Sequence, residues 1–331
     1  MKIDFGVRVP VSGPLASREN VISSAEAAEN LGFRTVWVHD QITWSREQNS
    51  HHVSSGSVEA VVEGKSPDFF ESITTLSYLA GVTSSVRLGI AVVVLPLRNP
   101  VILAKQLMNV DVMSKGRLVI GVGAGAPLVG KTFEVVGVPF EKRGEITDDY
   151  LKAMLAVFER RRYSSYVGKF SSFKDAEIFP KPVQVPHPPI VIGGLGRALR
   201  RAALYGDGWI PANITPENVK KGISKIRSVA KKNGRHLPEL LIGNEIFASI
   251  HSDSNVARKN ASATIASYAK SIGRGSEDVT LLGSPSEITR KVEAYVQSGV
   301  NVFELKFIYR DMDSFNSQLR LFASEILPSF S

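Results

Sequence analysis

Residues 88–100 read Leu88-Gly-Ile-Ala-Val-Val-Val-Leu-Pro96-Leu-Arg-Asn-Pro100. The first half is apolar without a polar alternation, as a strand buried on both faces must be. Asn99-Pro100 then predicts a helix start, because proline suits the first helical turn and asparagine caps it. A buried strand, a short polar loop and a helix make one βα unit. Working outward from it, the same unit recurs along the chain. Strand-like runs occur at 2–9, 35–38, 86–95, 118–123, 190–192, 208–210, 240–250 and 302–307. Helical patterns separate them at 18–31, 68–80, 99–113, 145–158, 198–205, 216–233, 256–271, 286–298 and 314–326. A loop is expected between the last turn of 256–271 and Leu282. Eight strands joined by helices argue for parallel strands with helical crossovers.

Closure into a barrel is read from charge. The first strand carries Asp4 and Arg8, the last Glu304 and Lys306. In a closed barrel these strands are neighbours, and an inward Arg8 can pair with Glu304. The expectation is an α/β chain folded as a (β/α)8 TIM barrel with insertions, one domain over 1–331. One stretch, 163–185, breaks the rhythm and predicts a small hairpin followed by a proline-rich crossing.

Composition narrows the function classes. Cysteine is absent, which excludes disulfides, thiolate metal sites and cysteine nucleophiles. No apolar run approaches the length of a membrane span, and the start carries no signal-peptide pattern. A cytoplasmic protein that does not enter membranes is therefore expected. The net charge of +8 has a bland reading, basic residues scattered over helix faces, and a functional one, attraction of a phosphorylated or polycarboxylate ligand. Nucleic acid is not expected as a partner, since no helix-turn-helix, zinc or aromatic-basic signature is present.

Three strand ends carry candidate chemistry. His39, Asp40 and Gln41 follow the second strand, where barrel enzymes place polar groups. His39 could serve as acid or base; Asp40 could hold a ring N–H of a cofactor or orient His39. A plain polar cluster is the competing reading. His51 and His52, in the next loop, lack a spaced third ligand, so no metal is expected and a substrate lid is the preferred reading. The loop Gly121-Val-Gly-Ala-Gly125-Ala-Pro127 lacks the spacing of a dinucleotide fingerprint. It reads as a glycine-lined floor, with Ala124, Gly125 and Ala126 against a flat ring, or as a plain turn. Gly193, Gly194, Leu195 and Gly196 lead directly into a helix, whose free N–H groups and dipole suit an anion. Arg197 could add charge there, and Arg200 and Arg201 read as solvent-facing.

Several pieces, taken in order, resemble the bacterial-luciferase superfamily of luciferase-like monooxygenases and coenzyme F420-dependent oxidoreductases. They are the Leu88–Pro100 stretch, Glu29-Asn-Leu-Gly-Phe-Arg-Thr-Val-Trp-Val-His-Asp40, Lys115 through Gly125, and Gly137-Val-Pro-Phe140-Glu-Lys-Arg143. Pro180-Lys-Pro182, Pro188 through Gly194, Gly206-Asp-Gly-Trp209 and Gly283-Ser-Pro285 complete the set. The resemblance implies a flavin or deazaflavin at the C-terminal rim, a non-proline cis peptide near Ala91 and Val92 behind the ring, and phosphate contacts at Gly193–Gly196. It places Asp40 close to the ring. Gln41 stands where several deazaflavin dehydrogenases have a catalytic histidine, and Ala126 where some have a glutamate acid. The leading expectation is coenzyme F420-dependent hydride transfer to or from a small-molecule substrate. FMN-dependent monooxygenation and a non-catalytic flavin-binding protein are the alternatives. Family members commonly form a homodimer.

Overall fold

Eight parallel strands close into a ring in the computed structural model, which describes residues 3–43, 68–237, 239–272 and 277–330. The ring runs β1 (Asp4–Arg8), β2 (Thr35–Val38), β3 (Arg87–Val94), β4 (Leu118–Gly123), β7 (Ile190–Gly193), β8 (Gly208–Ile210), β9 (Leu241–Ile250) and β11 (Val302–Phe307). Pairing of β1 with β11 and of β8 with β9 completes it. The two intervening strands, β5 (Tyr163–Val167) and β6 (Ser172–Glu177), form the expected antiparallel hairpin. Asp149 fastens that hairpin, accepting hydrogen bonds from the Tyr166 hydroxyl and from the N–H groups of Lys169, Phe170 and Ser171.

The helices that cover the ring are α1 (Arg18–Asn30), α2 (Ser72–Val82), α3 (Pro100–Met113), α4 (Gly130–Val136), α5 (Arg143–Phe158), α6 (Arg197–Tyr205), α7 (Pro216–Lys232), α8 (Ser254–Ile272), α9 (Pro285–Ser298) and α10 (Met312–Glu325). Asn99 caps α3 as expected, its side chain accepting from the N–H groups of Val101 and Ile102. The main core lies between ring and helices, from the outward side chains of strands such as Val36, Val38, Leu88 and Ile120.

Three expectations need correction. The helix expected from Asp68 begins at Ser72, where the Glu71 carboxylate accepts from the Thr74 N–H. The glycine-proline loop after β4 contains the short helix α4, and the loop before Leu282 ends in a three-residue strand, β10 (Leu281–Gly283), paired with the end of β9. Both elements are too short for a hydrophobic period to mark them.

Inside the ring, side chains alternate with glycines. Trp37 fills the middle of the lumen, lying against Gly6 on one side and Gly89 on the other; a Cβ at either glycine would sit 2.2 Å from the indole. Ala91, Val119, Val191, Ile210 and Val302 pack around it.

Candidate active site at the barrel mouth

The most informative irregularity lies in β3. Its register against β4 shifts between Ile90 and Val93, and the Ala91–Val92 peptide is cis, at the position the resemblance implied. The bulge turns Val92 into the lumen. Facing it are glycines on two strands: a Cβ on Gly123 would lie 2.5 Å from a Val92 methyl, and one on Gly193 would lie 2.6 Å from the other. At Gly121 a Cβ would meet the Ile90 carbonyl oxygen at 2.1 Å. Val92 is thus the raised centre of a floor whose facing positions on β4 and β7 are glycines. A flat ring can approach such a surface closely, because glycine adds nothing above the backbone. Gly125 continues the floor with φ +88°, against the Phe133 ring. Ala124 is half-buried beside it, and Ala126 is exposed at the outer edge.

On the next strand of the ring, Gly193–Gly196 runs over the rim into α6. Gly194 and Gly196 have φ of +99° and +60°, the region open to glycine. Trp209, outward on β8, donates from Nε1 to the Gly194 carbonyl at 2.7 Å and pins the loop. Among the described residues no side chain caps α6, and Gly194, Leu195, Gly196 and Arg197 are exposed. Arg200 is exposed as expected. Arg201 is not: it is buried, donating to Asp148 at 2.6 Å and to the Gly144 carbonyl at 3.0 Å, and so ties α6 to α5. Its place on the inner face of a short helix decides this against the solvent-facing reading.

The third group separates. Strand alternation sends His39 and Asp40 to opposite sides. His39 is half-buried at the mouth, its Nε2 3.4 Å from the Ser12 hydroxyl and its ring edge-on to Phe69 at 4.6 Å. Asp40 faces outward and does not orient His39. Its carboxylate accepts two hydrogen bonds from Arg98 at 2.6 and 2.7 Å, one from Ser72 Oγ and one from the Val94 N–H, both at 3.0 Å. Four donors on one buried carboxylate leave a cofactor ring little to bond. The Gln41 amide donates to the Thr43 carbonyl within its own loop. His51 and His52 lie outside the described residues. Among the described residues, no three His, Asp or Glu side chains gather to hold a metal.

Across the lumen from Val92, β1, β9 and β11 bring four charged residues together. Arg8 donates from Nε and Nη2 to Glu304 Oε1 at 2.7 and 2.5 Å, and Nη2 lies 3.2 Å from Glu245 Oε1. The pairing of Arg8 with Glu304 foreseen from barrel closure is present. Lys306 donates to Glu245 Oε1 at 2.5 Å and lies over the Phe247 ring. Burial alone would raise the Glu245 carboxyl, but Lys306 and Arg8 outweigh it and hold the group low. Sequence reasoning found the Arg8–Glu304 half of this quartet and missed Glu245, whose strand pattern looked apolar.

A model of the family described as luciferase-like monooxygenase matches residues 4–301. The chain belongs to the luciferase-like monooxygenase family. An uncharacterized family relative from Mycobacterium tuberculosis is 30% identical over 225 residues, covering 66% of this chain and 77% of the relative. An FMNH2-dependent dimethylsulfone monooxygenase of Pseudomonas putida is 26% identical over 294 residues and covers 78% of each chain. Among solved structures, a coenzyme F420-dependent secondary alcohol dehydrogenase superposes with a TM-score of 0.80 at 19% identity, covering both chains completely. That likeness fixes the luciferase-like barrel. The glycine floor around Val92 fits a flat ring, and the start of α6 fits an anion.

Proposed function

We propose that this luciferase-like oxidoreductase binds coenzyme F420, with the ring over Val92 and the phosphate end at Gly193–Arg197, and transfers hydride to or from a small organic substrate. The observation that carries the reading is the floor itself: an inward Val92 ringed by Gly121, Gly123 and Gly193, where any added Cβ would collide. When bound, the deazaflavin supplies a hydride acceptor or donor. The chain binds, orients and shields it. Leu195 and the glycines offer backbone N–H groups to a phosphate, and exposed Arg197 and Arg200 give a multiply charged tail a cationic outlet. His39, turned toward the mouth, holds or takes the substrate proton at its imidazole. Asp40 is a positioning residue: through Arg98, Ser72 and the Val94 N–H it locks the end of β2 to the end of β3, immediately beyond the floor. Gln41 shapes the loop after β2.

FMN-dependent monooxygenation is the second reading, favoured by the likeness to the dimethylsulfone monooxygenase across most of both chains. Titration of the purified protein with coenzyme F420 and with FMN, followed by reduction and measurement of oxygen uptake, separates them. F420 binding without oxygen uptake is expected. FMN binding with oxygen consumption would install the second reading, and binding without turnover of any donor would leave a flavin-binding protein. Binding of neither would overturn the cofactor assignment.

A further inference from the structure

The quartet opposite the floor is unevenly satisfied. Glu245 Oε1 is shared by Lys306 and Arg8, and Glu304 Oε1 takes both Arg8 contacts. Glu304 Oε2 is buried with no hydrogen-bond partner among the described residues, and the side chain has no exposure at all. An ionised carboxylate accepts at both oxygens, and a bare buried one is costly. The two carboxylates also meet at one guanidinium nitrogen, so each raises the cost of charging the other. Among the described residues, only Glu245 is bonded to a second cation, Lys306. Other charged or titratable groups nearby do not supply Glu304 with one. Asp4, one layer deeper on β1, is engaged by Thr35 and Arg87, and Tyr309, just past β11, is buried and neutral.

We propose that Glu304 stands as a neutral carboxylic acid in the working protein, leaving Arg8, Lys306 and Glu245 with one net positive charge turned toward the ring site. Burial, with Glu245 added, outweighs Arg8 and Lys306 and raises the Glu304 carboxyl from 4.5 to about 7, in the same direction as the geometry. The function of this charge rests on the proposed cofactor site: it favours negative charge on a ring lying over Val92, and it fades as Glu304 ionises.

The protonation state is tested on the protein without any cofactor. A carboxyl raised on folding binds more protons in the folded than in the unfolded chain between those two values, so its stabilising contribution is complete below pH 4.5 and is lost as pH rises through about 7. Glu304→Gln mimics the neutral acid at every pH. From pH 5 to 7 the wild type should therefore lose ground against Glu304→Gln by about tenfold in the folding equilibrium per pH unit. Infrared difference spectra of the wild type should show a protonated carboxyl band at pH 6 that vanishes by pH 8.5 and is missing from the variant. Parallel pH–stability curves, or no such band, would overturn the proposal. Should the variant fail to fold, the wild-type infrared titration decides alone. FMN and coenzyme F420 titrations at pH 6 and 8.5 then read the function: wild-type affinity falls with rising pH while that of Glu304→Gln does not. Failure of both cofactors to bind would remove the cofactor reading and leave the protonation result standing; equal pH dependence in the two proteins would overturn the role of the charge.

Discussion

On one side of the barrel mouth β3, β4 and β7 present Val92 and three glycines; on the other, β1, β9 and β11 present two cations and two carboxylates. The same ring of strands has been stripped of side chains on one half and crowded with charge on the other. The bare half can admit a flat guest and offers it no charge. The charged half cannot admit a guest without breaking ion pairs, but its charges are largely buried, and buried charges act over a longer range than exposed ones. On the proposed cofactor site, binding surface and electrostatics are divided between opposite arcs of one barrel.

The sharpest way to break the charged arc is Arg8→Ala. At pH 8.5, where Glu304 is ionised, it leaves Glu304 and Glu245 buried beside one lysine and should destabilise the protein by about 3–5 kcal/mol in chemical denaturation. An unchanged midpoint would mean that the quartet is dispensable. Asp40→Ala strikes the hinge between β2 and the floor. Arg98 keeps Glu71 at 2.8 Å as a second partner, so a smaller loss of about 2–3 kcal/mol is expected. Cofactor affinity should weaken as the end of β3 loosens. Trp209→Phe removes a single neutral hydrogen bond to the Gly194 carbonyl, worth about 1 kcal/mol, and should loosen the α6 loop without disturbing the ring.

Smallest is a control far from both arcs. Burial would raise the Glu29 carboxyl, yet the N–H groups of Ser85, Val86 and Ser84 outweigh it and hold the group at about 2. Its contribution is present above pH 4.5 and lost as pH falls through about 2. Glu29→Gln should flatten the acid limb of the stability curve slightly, because the carboxylate is largely solvated. A loss confined to neutral or alkaline pH would contradict this.

The barrel was legible because its signals are periodic: valine-rich strands, caps such as Asn99, and charged residues on the first and last strands that only closure explains. The floor was half legible. Gly121, Gly123 and Gly125 could be read as a bare surface, but Gly193 was read as an anion contact and the residue they surround came from the family resemblance, since a one-residue register shift leaves no trace in an all-apolar strand. His39 and Asp40 were found together, and of the readings offered the orienting of His39 by Asp40 fails. Adjacent strand residues face opposite ways, and the partner that claims Asp40 is Arg98, 58 positions away. Glu245 and Arg201 were hidden for a related reason: their partners come from other strands and helices, and pairing at that distance is a property of the closed fold.

The division of labour between the arcs rests on the floor being the ring site, and Gly193→Val tests that most directly. The added side chain projects at Val92, 2.6 Å from its methyl before adjustment, and should cost about 1–3 kcal/mol in overpacking while the barrel persists by circular dichroism. Fluorescence titration with coenzyme F420 and FMN should then show affinity reduced at least about tenfold relative to wild type, the equivalent of ~1.4 kcal/mol. A folded Gly193→Val protein that binds its cofactor as tightly as wild type would place the ring elsewhere.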